Sequence, residues 1–422
     1  MNLEDLILVS VDDHVIEPPD MFDGRVPAKY KDKAPRMIQR EDGASAWVYE
    51  GAEITNVALN AVAGRPKEEL GIEPTSLAEL RPGCYDINAR VKDMDANGVL
   101  GSMGFPSFVR FCGQVFMKTA DKDQAQALVR AYNDWHIESW AGAYPGRFIP
   151  LALPMMWDAE ATAKEVRRVA EKGCHAVTFS SNPYALGLPS LYTDYWDPML
   201  KACADTGTVV CMHLGSSSQS PGTSPDAPIE VTYSLSPINL FEAAADIVWS
   251  PMLRKFPNLK VALSEGGTGW VPYFLERIDY IYQHTRPWTH TDLGGGRLPS
   301  QIFSEHVILC FIDDAVGIET RGHLNIDNIT WECDYPHSDS TWPHSPETVI
   351  KYLGHLPDDE VNKITHRNAM KHFQYDPFTH IPREQATVGT LRDSAKDWDI
   401  SVKPRTVQRE KSNAHWLDIA KI

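Results

Sequence analysis

The stretch Leu6-Ile7-Leu8-Val9-Ser10-Val11-Asp12-Asp13-His14 decides the fold that the sequence predicts. Its apolar residues, several of them β-branched, are typical of a buried parallel strand whose two faces are covered by helices. Side chains alternate along a strand, so Asp12 and His14 point to one side and Asp13 to the other. A carboxylate and an imidazole at the end of a buried strand form half of a divalent metal site. The alternative is a strand end with a solvated polar cap.

Three later stretches have the same design, an apolar run that ends in a residue able to bind a metal. They are residues 207–213, 259–265 and 329–334, which end in His213, Glu265 and Asp334. In a barrel of alternating strands and helices, the carboxyl ends of all strands meet at one face, where active sites are built. A single histidine at a strand end is usually a core residue, but four such endings in one chain favour a shared site.

Strand-like and helical segments alternate about eight times up to residue 375. This alternation predicts an α/β protein, specifically a (β/α)8 TIM barrel with a parallel core. Residues 15–90 break the pattern and are predicted to be an N-terminal insertion, in which 35–39 and 46–50 form a hairpin. Residues 376–422 are charged and aperiodic. We expect them to be a C-terminal extension of the domain 1–375 that wraps over the surface or contacts a partner chain.

The composition excludes several classes of function. Of the 422 residues, 43% are hydrophobic, enough for a large core, and the net charge of −17 argues against nucleic-acid and anionic-membrane binding. No apolar run approaches the ~18 to 20 residues of a membrane span, and a secretory signal is not evident. Seven cysteines without framework spacing fit a reducing compartment. We therefore expect a cytoplasmic protein that acts on a small molecule.

The strand ends predict one divalent metal ion with two nitrogen and two carboxylate ligands. The four candidate ligands are Asp12, His14, His213 and Asp334. An open position would remain for water or substrate. Such an ion lowers the pKa of bound water toward ~7 or polarises a carbonyl. We expect zinc, with manganese or iron as alternatives, because mixed nitrogen and oxygen ligands suit all three.

Three residues are candidates for catalysis: Glu265, Asp334 and His337. Glu265 arrives on a neighbouring strand and is placed to take a proton from the metal-activated water. The alternative for Glu265 is a structural hydrogen bond to the turn at Gly266-Gly267. His337 lies three residues after Asp334, and three roles stay open for it: a hydrogen-bond donor to a ligand, a substrate contact, or an exposed loop residue.

Several motifs occur together in a fixed order between about residues 6 and 375. They are Ser10–Pro19, Met94-Asp95 with Gly98-Val99, Phe105-Pro106, His213 with Gly215, Gly266-Gly267 and Trp331–His337. Together they resemble the amidohydrolase-related proteins. Within that family they resemble the branch containing aminocarboxymuconate-semialdehyde decarboxylase, γ-resorcylate decarboxylase and 5-carboxyvanillate decarboxylase. The resemblance implies a (β/α)8 barrel, one divalent metal at the strand ends and often a homodimer. It also implies mostly non-oxidative decarboxylation, with hydrolases and a hydratase among the relatives.

The sequence departs from the family pattern at two positions. Asp12 stands where the first strand commonly has His or Glu, and this shorter carboxylate can still bind a metal. Glu265 stands where many members carry a catalytic histidine, and unless protonated it would repel a substrate carboxylate. We therefore expect a metal-dependent hydrolase of a small aromatic or cyclic acyl substrate. The first alternative is a non-oxidative decarboxylase of an aromatic or unsaturated carboxylic acid, and the second is a non-catalytic metal-binding barrel.

Overall fold

The computed structural model describes residues 1–58, 60–71 and 75–405. The strands in these ranges are β1 Leu8–Val15, β2 Arg36–Gln39, β3 Ser45–Tyr49, β4 Ala52–Ile54, β5 Val99–Pro106, β6 Phe148–Ile149, β7 Ala176–Phe179, β8 Val209–His213, β9 Val261–Ser264, β10 Val307–Phe311 and β11 Ile329–Trp331. The α-helices are α1 Ile87–Asn97, α2 Gln114–Met117, α3 Lys122–Asp134, α4 Ala159–Ala170, α5 Asp197–Thr206, α6 Ile229–Leu235, α7 Ile238–Trp249, α8 Met252–Lys255, α9 Val271–Thr289, α10 Pro299–His306, α11 Ala315–Glu319, α12 Ser345–Leu353, α13 Asp358–Asn362, α14 Asn368–His372 and α15 Val388–Ser394.

Parallel strands form the barrel in two arcs. One arc has the order β1-β5-β6, and the other runs from β7 through β8, β9 and β10 to β11. On one side, a parallel bridge between Ala152, which follows β6, and Val177 in β7 joins the two arcs. On the other side, the Asp334 N–H donates to the Asp12 carbonyl at 2.9 Å, and the His14 N–H donates to the Tyr335 carbonyl at 2.7 Å. The predicted TIM barrel is confirmed, and its closure brings the end of β1 against the chain that follows β11.

Capping residues set the boundaries of the helices between the strands. Asp86, Asp121 and Asp158 accept hydrogen bonds from first-turn N–H groups of α1, α3 and α4, which would otherwise lack partners. α1 and α5 end at Gly98 and Gly207, whose φ angles of 72° and 66° lie in the left-handed region that favours glycine. These caps stop each helix where the chain must turn back into the next strand.

The N-terminal insertion contains a small antiparallel sheet. The predicted hairpin is confirmed as β2 and β3, and β4 adds a third strand that the sequence did not predict. Helix α1 begins at Ile87, inside the range predicted for the insertion, and connects to β5 as part of the crossover from β1. The end of the predicted insertion therefore already contributes to the barrel.

The described residues after 375, predicted to be a C-terminal extension, lie against the barrel. The Val388 N–H at the start of α15 donates to the Leu6 carbonyl at 2.8 Å, beside the beginning of β1. Further along, the Trp398 Nε1–H donates to Asp93 at 2.7 Å. This segment therefore closes over the first strand and α1. Contact with a partner chain stays a prediction, and residues 406–422 lie outside the described ranges.

The described residues contain neither a membrane-spanning helix nor a disulfide. None of their helices combines the length and the apolar character that a membrane crossing requires. All seven cysteines are buried and unbonded to one another, so the fold depends on core packing rather than on disulfides.

Candidate metal centre

The two sides of the end of β1 have different surroundings. Asp13 accepts hydrogen bonds from Ser10 Oγ at 3.0 Å and from the Tyr335 N–H at 2.9 Å, and a further one from the Ser102 hydroxyl. Asp12 faces the opposite way, toward the ends of the other barrel strands. Burial raises the pKa of both carboxyl groups, that of Asp13 to about 7. The two side chains therefore point to opposite sides, as predicted for a strand. The carboxylate of Asp13 is hydrogen-bonded, whereas that of Asp12 lies at the open end of the barrel.

The four predicted metal ligands come together at the carboxyl end of the barrel. His14 Nε2 lies 3.0 Å from an Asp334 carboxylate oxygen and 3.6 Å from one of Asp12. His213 Nε2, at the end of β8, lies 3.4 Å from the other Asp12 oxygen. All four side chains are fully buried. Strand ends that are far apart in sequence therefore lie close together, as the barrel geometry requires. Their donor atoms form two sets that share His14, with the atoms of each set within 4.8 Å of one another: Asp12, His14 and His213, and His14, Glu265, Asp334 and His337.

The donor atoms at this point fit a divalent cation. Both carboxylate oxygens of Asp12 and Asp334, both ring nitrogens of His14 and Nε2 of His213 are buried without a hydrogen bond to any described residue. Each such atom costs about 1–3 kcal/mol unless something else binds it. His213 Nδ1 lies 2.6 Å from the Leu214 carbonyl, which directs Nε2 toward the centre. A cation bound by one nitrogen of each histidine and by oxygens of the two aspartates would satisfy most of these atoms, since an imidazole offers only one of its nitrogens to a single ion. The assignment of each residue as a ligand stays a prediction.

Glu265 lies beside these residues, immediately after β9. Its Oε2 is 3.2 Å from His213 Nε2, and its side chain is 16% exposed. Its backbone has φ 62°, in the left-handed region, which a residue with a Cβ adopts rarely. Burial first, and then the negative charges of Asp339, Asp12 and Glu332, raise the pKa of Glu265 well above its usual range. This carboxyl group is therefore both next to the centre and disposed to hold a proton.

The sequence interpretation missed Glu332, a further buried carboxyl group. Glu332 Oε2 accepts hydrogen bonds from the Glu265 N–H at 3.3 Å and from Cys310 Sγ at 2.5 Å. Burial, and next the charge of Asp12, raise the pKa of Glu332. Glu332 precedes Asp334 by two residues. The alternation of side chains along a strand, which predicts that Asp12 and His14 share a side, would also have placed Glu332 on the side of Asp334. Its contacts connect Glu265 to the neighbouring strand.

His337 packs directly on His14. Its ring stacks on that of His14 with centroids 3.6 Å apart, and its Nδ1 lies 3.1 Å from Asp334. Burial lowers the pKa of His337 to about 3, so the ring is neutral. Its Nε2 has no hydrogen bond to a described residue. Of the roles left open by the sequence, an exposed loop residue is excluded, while contact with a ligand and contact with substrate remain.

A cavity of about 380 Å³ opens beside the centre. Glu265 and His337 form part of its wall, together with Arg110, Phe111 and the exposed Asp339. The ring of Phe111 stacks on His213 with centroids 4.1 Å apart, so one wall of the cavity is continuous with the centre. The cavity has the size of a small-molecule site and contains apolar, cationic and acidic groups.

The chain is similar to known proteins in sequence and in fold. Residues 46–374 match the family model described as Amidohydrolase. No curated protein sequence matches the chain. A solved amidohydrolase from Mycobacterium avium subsp. paratuberculosis K-10 is similar, with TM-score 0.66, 18% identity, and coverage of 87% of this chain and 99% of that one.

Two decarboxylase structures are also similar. The 5-carboxyvanillate decarboxylase from Sphingomonas paucimobilis has TM-score 0.60 and 18% identity, covering 88% of this chain and 100% of that one. A dihydroxybenzoic acid decarboxylase from Polaromonas sp. JS666, solved with bound manganese and the inhibitor 2-nitroresorcinol, has TM-score 0.55 and 20% identity, covering 72% and 90%. At these identities the likeness establishes the fold.

Proposed function

Because the chain belongs to the amidohydrolase family, whose members are metal-dependent enzymes, we propose that it is a metal-dependent, non-oxidative decarboxylase of an aromatic or unsaturated carboxylic acid. The sequence favoured hydrolysis over decarboxylation, and we now propose decarboxylation as the main reaction. The two decarboxylases of similar fold support it. The observation that carries it is the position of Glu265, whose Oε2 lies 3.2 Å from His213 Nε2 in the cavity wall, among further carboxyl groups that disfavour its ionised form.

Hydrolysis in this site would require an ionised Glu265 that takes a proton from water. A bound divalent ion favours the ionised form of the carboxylates that bind it directly, and we assign that role to Asp12 and Asp334. Glu265, surrounded by further carboxyl groups, is then the one that keeps its proton. A neutral Glu265 does not repel a substrate carboxylate, so a carboxylic acid becomes an acceptable substrate.

In this proposal the divalent ion supplies positive charge that binds the substrate and stabilises negative charge developing on it. Glu265 supplies the proton. As the bond between the substrate carbon and its carboxylate breaks, CO2 leaves and the electron pair stays on the carbon, which takes the proton from the Glu265 carboxyl group. His337 is neutral, and we propose that its Nε2 forms a hydrogen bond with the substrate. Partial exposure of Glu265 allows solvent to return the proton.

For the ion we propose manganese alongside zinc. Manganese is bound in the dihydroxybenzoic acid decarboxylase of similar fold, and mixed nitrogen and oxygen donors suit both metals. Metal analysis of purified protein, followed by removal and replacement of each metal, measures which one supports activity. The homodimer and the cytoplasmic location stay predictions; sedimentation velocity at micromolar concentration tests the first, and a monomer would contradict it.

The direct test of the reaction uses metal-loaded protein and hydroxybenzoic acids in D2O. A starting substrate is 2,6-dihydroxybenzoate, which is bound in another decarboxylase structure of similar fold. We expect CO2 release and one deuterium on the vacated carbon of the product. The contrary result is cleavage of neutral esters, amides or lactones with incorporation of oxygen from water and no CO2 from any acid. That result would restore hydrolysis, with an ionised Glu265 as base.

A further inference from the structure

Asp334, one of the proposed metal ligands, has an unusual backbone conformation that its neighbours must maintain. Its φ of 57° lies in the left-handed region, which a residue with a Cβ adopts rarely. The next residue, Tyr335, is buried and forms two backbone hydrogen bonds to β1. Its N–H donates to the Asp13 carboxylate at 2.9 Å, and its carbonyl accepts from the His14 N–H at 2.7 Å. Tyr335 therefore lies between two proposed ligands, since it follows Asp334 in sequence and is hydrogen-bonded to His14.

The side chain of Tyr335 is held by Asp93 in helix α1. The phenol O–H donates to Asp93 Oδ2 at 2.6 Å, and both side chains are buried. The guanidinium of Arg90, one turn earlier in α1, lies 4.6 Å from the centroid of the Tyr335 ring and donates to the His14 carbonyl at 2.5 Å. Helix α1 therefore contacts both the residue that follows Asp334 and the backbone of His14.

We propose that Tyr335 and Asp93 are positioning residues of the metal centre, which act through Asp334 and His14. A left-handed residue relaxes toward the ordinary backbone region unless its surroundings prevent it, and such a rotation would turn the Asp334 carboxylate away from the centre. Anchoring the ring of the next residue opposes that rotation. This inference rests on the proposed function, because it requires a bound metal, and it adds the groups outside the centre that set the affinity for that metal.

Asp93 is itself held by two segments that are remote from it in sequence. Arg81, from the N-terminal insertion, donates from Nε and Nη2 to Asp93 Oδ1 at 2.8 and 2.6 Å. The Trp398 Nε1–H donates to the same oxygen at 2.7 Å, and Arg81 Nη2 also donates to the Asp399 carbonyl at 2.5 Å. The insertion and the segment after residue 375 are thereby connected to the metal centre through Asp93 and Tyr335.

The packing around the contact between Tyr335 and Asp93 leaves no space for a side chain at Gly83. A Cβ at this position would lie 2.0 Å from Asp93 Oδ2 and 2.7 Å from the Tyr335 hydroxyl oxygen. Both distances are shorter than van der Waals contact, so any other residue at this position would displace one or both groups. The contact can therefore be disturbed in two separate ways, by removing the hydroxyl group or by adding a methyl group at Gly83.

The test is the affinity of the chelator-treated full chain for Mn²⁺, with free Mn²⁺ measured by electron paramagnetic resonance. We expect Tyr335→Phe to weaken Mn²⁺ binding by roughly 10- to 100-fold, the loss typical of a residue that supports a ligand, and Gly83→Ala to weaken it by at least about tenfold. Trp398→Phe removes one donor to Asp93 and should have a smaller effect in the same direction. Unchanged affinity in Trp398→Phe would overturn the role of the segment after residue 375.

Tyr375→Phe is the matched control for loss of a buried tyrosine hydroxyl group. This hydroxyl donates to the Gly146 carbonyl at 2.5 Å and lies beside Gly101, in the first half of β5 and away from the carboxyl ends of the strands. Tyr375→Phe should lower the melting temperature of metal-free protein but change Mn²⁺ affinity by less than about twofold. Mn²⁺ affinity of Tyr335→Phe within about twofold of wild type, or an equal loss in both variants, would overturn the positioning role. Failure of wild type to bind Mn²⁺ would instead count against the proposed function.

Discussion

Asp12 and Asp13 are consecutive residues at the end of β1, both buried, and they differ in what surrounds their oxygens. Asp13 receives hydrogen bonds from two hydroxyl groups and a backbone N–H, which join β1 to its neighbour and to the chain after β11. The carboxylate oxygens of Asp12 have no hydrogen bond to a described residue and face two histidines. Of two carboxyl groups equally removed from water, that of Asp13 is hydrogen-bonded by the fold, and that of Asp12 has no partner other than the cation that we propose.

Buried histidines likewise differ in whether their ring nitrogens have hydrogen-bond partners. His136 lies in the core with Nε2 3.1 Å from the Gly104 carbonyl, and its Nδ1 accepts from the Leu151 N–H at 3.4 Å. Both nitrogens of His14, by contrast, and Nε2 of His213 have no hydrogen bond to a described residue. The presence or absence of partners, rather than burial itself, distinguishes the structural side of the barrel from its functional side.

The largest predicted effect is on the functional side. His213→Ala removes one of the four proposed ligands. Loss of a residue that only supports a ligand weakens metal binding by about 10- to 100-fold, so loss of a ligand should weaken it further and abolish activity. His136→Ala is the matched control: it should keep a full equivalent of metal while lowering thermal stability. Metal analysis after gel filtration and thermal unfolding measure both. A His213→Ala variant with wild-type metal content and turnover would show that this histidine is not a ligand.

Glu265→Gln should have the next largest effect. The amide keeps the shape of the side chain but cannot supply the proton, so the rate should fall by roughly 10²- to 10⁴-fold with metal and substrate analogue still bound. Steady-state kinetics with an identified substrate and metal analysis measure the two quantities. An unchanged rate would leave Glu265 as a turn residue and the acid unidentified.

A smaller effect is expected from the two aspartates in metal-free protein. Asp13→Ala removes the acceptor of three hydrogen bonds and should lower the free energy of unfolding by about 1–3 kcal/mol. Asp12→Ala removes a buried carboxyl group without partners and should leave that free energy unchanged or raise it. Chemical denaturation in the presence of a chelator measures both variants. Equal destabilisation by the two substitutions would contradict the proposed difference between Asp12 and Asp13.

The smallest predicted effect is a pH dependence. The pKa of Asp13 is raised from 3.8 to about 7 in the folded state, so between these values the folded protein binds more protons than the unfolded chain. Its contribution to the free energy of unfolding therefore falls as the pH rises from about 4 to 7 and is constant above. Asp13→Asn cannot titrate, so its free energy of unfolding should decline less steeply over this range. Parallel slopes for wild type and variant would contradict the shift.

The barrel and most of its candidate site could be predicted from the sequence. The barrel and its site are both indicated by apolar runs that end in Asp12, His213, Glu265 and Asp334. The carboxyl ends of parallel strands lie side by side at one end of a barrel, so these residues come close together. The same alternation applied two residues before Asp334 would have indicated Glu332.

Other features depend on contacts between distant segments and leave no local pattern. Arg110 reaches the cavity on a loop held by Glu17 and Thr178, and its neighbours in sequence do not indicate this position. The pKa of Glu265 depends on acids from other strands, so the sequence interpretation assumed an ionised base and ranked hydrolysis first. α15, which packs beside β1, was missed because its short helix has little periodicity of its own.

The measurement that tests the central claim most directly is anomalous diffraction from crystals of the protein loaded with manganese or zinc. We predict one anomalous peak per chain at the end of β1, with oxygen and nitrogen donors at about 2.0–2.2 Å. The donors should come from Asp12, His14, His213 and Asp334, while Asp13 keeps its three hydrogen bonds. A peak elsewhere, or no peak with these four residues paired to one another, would contradict the account.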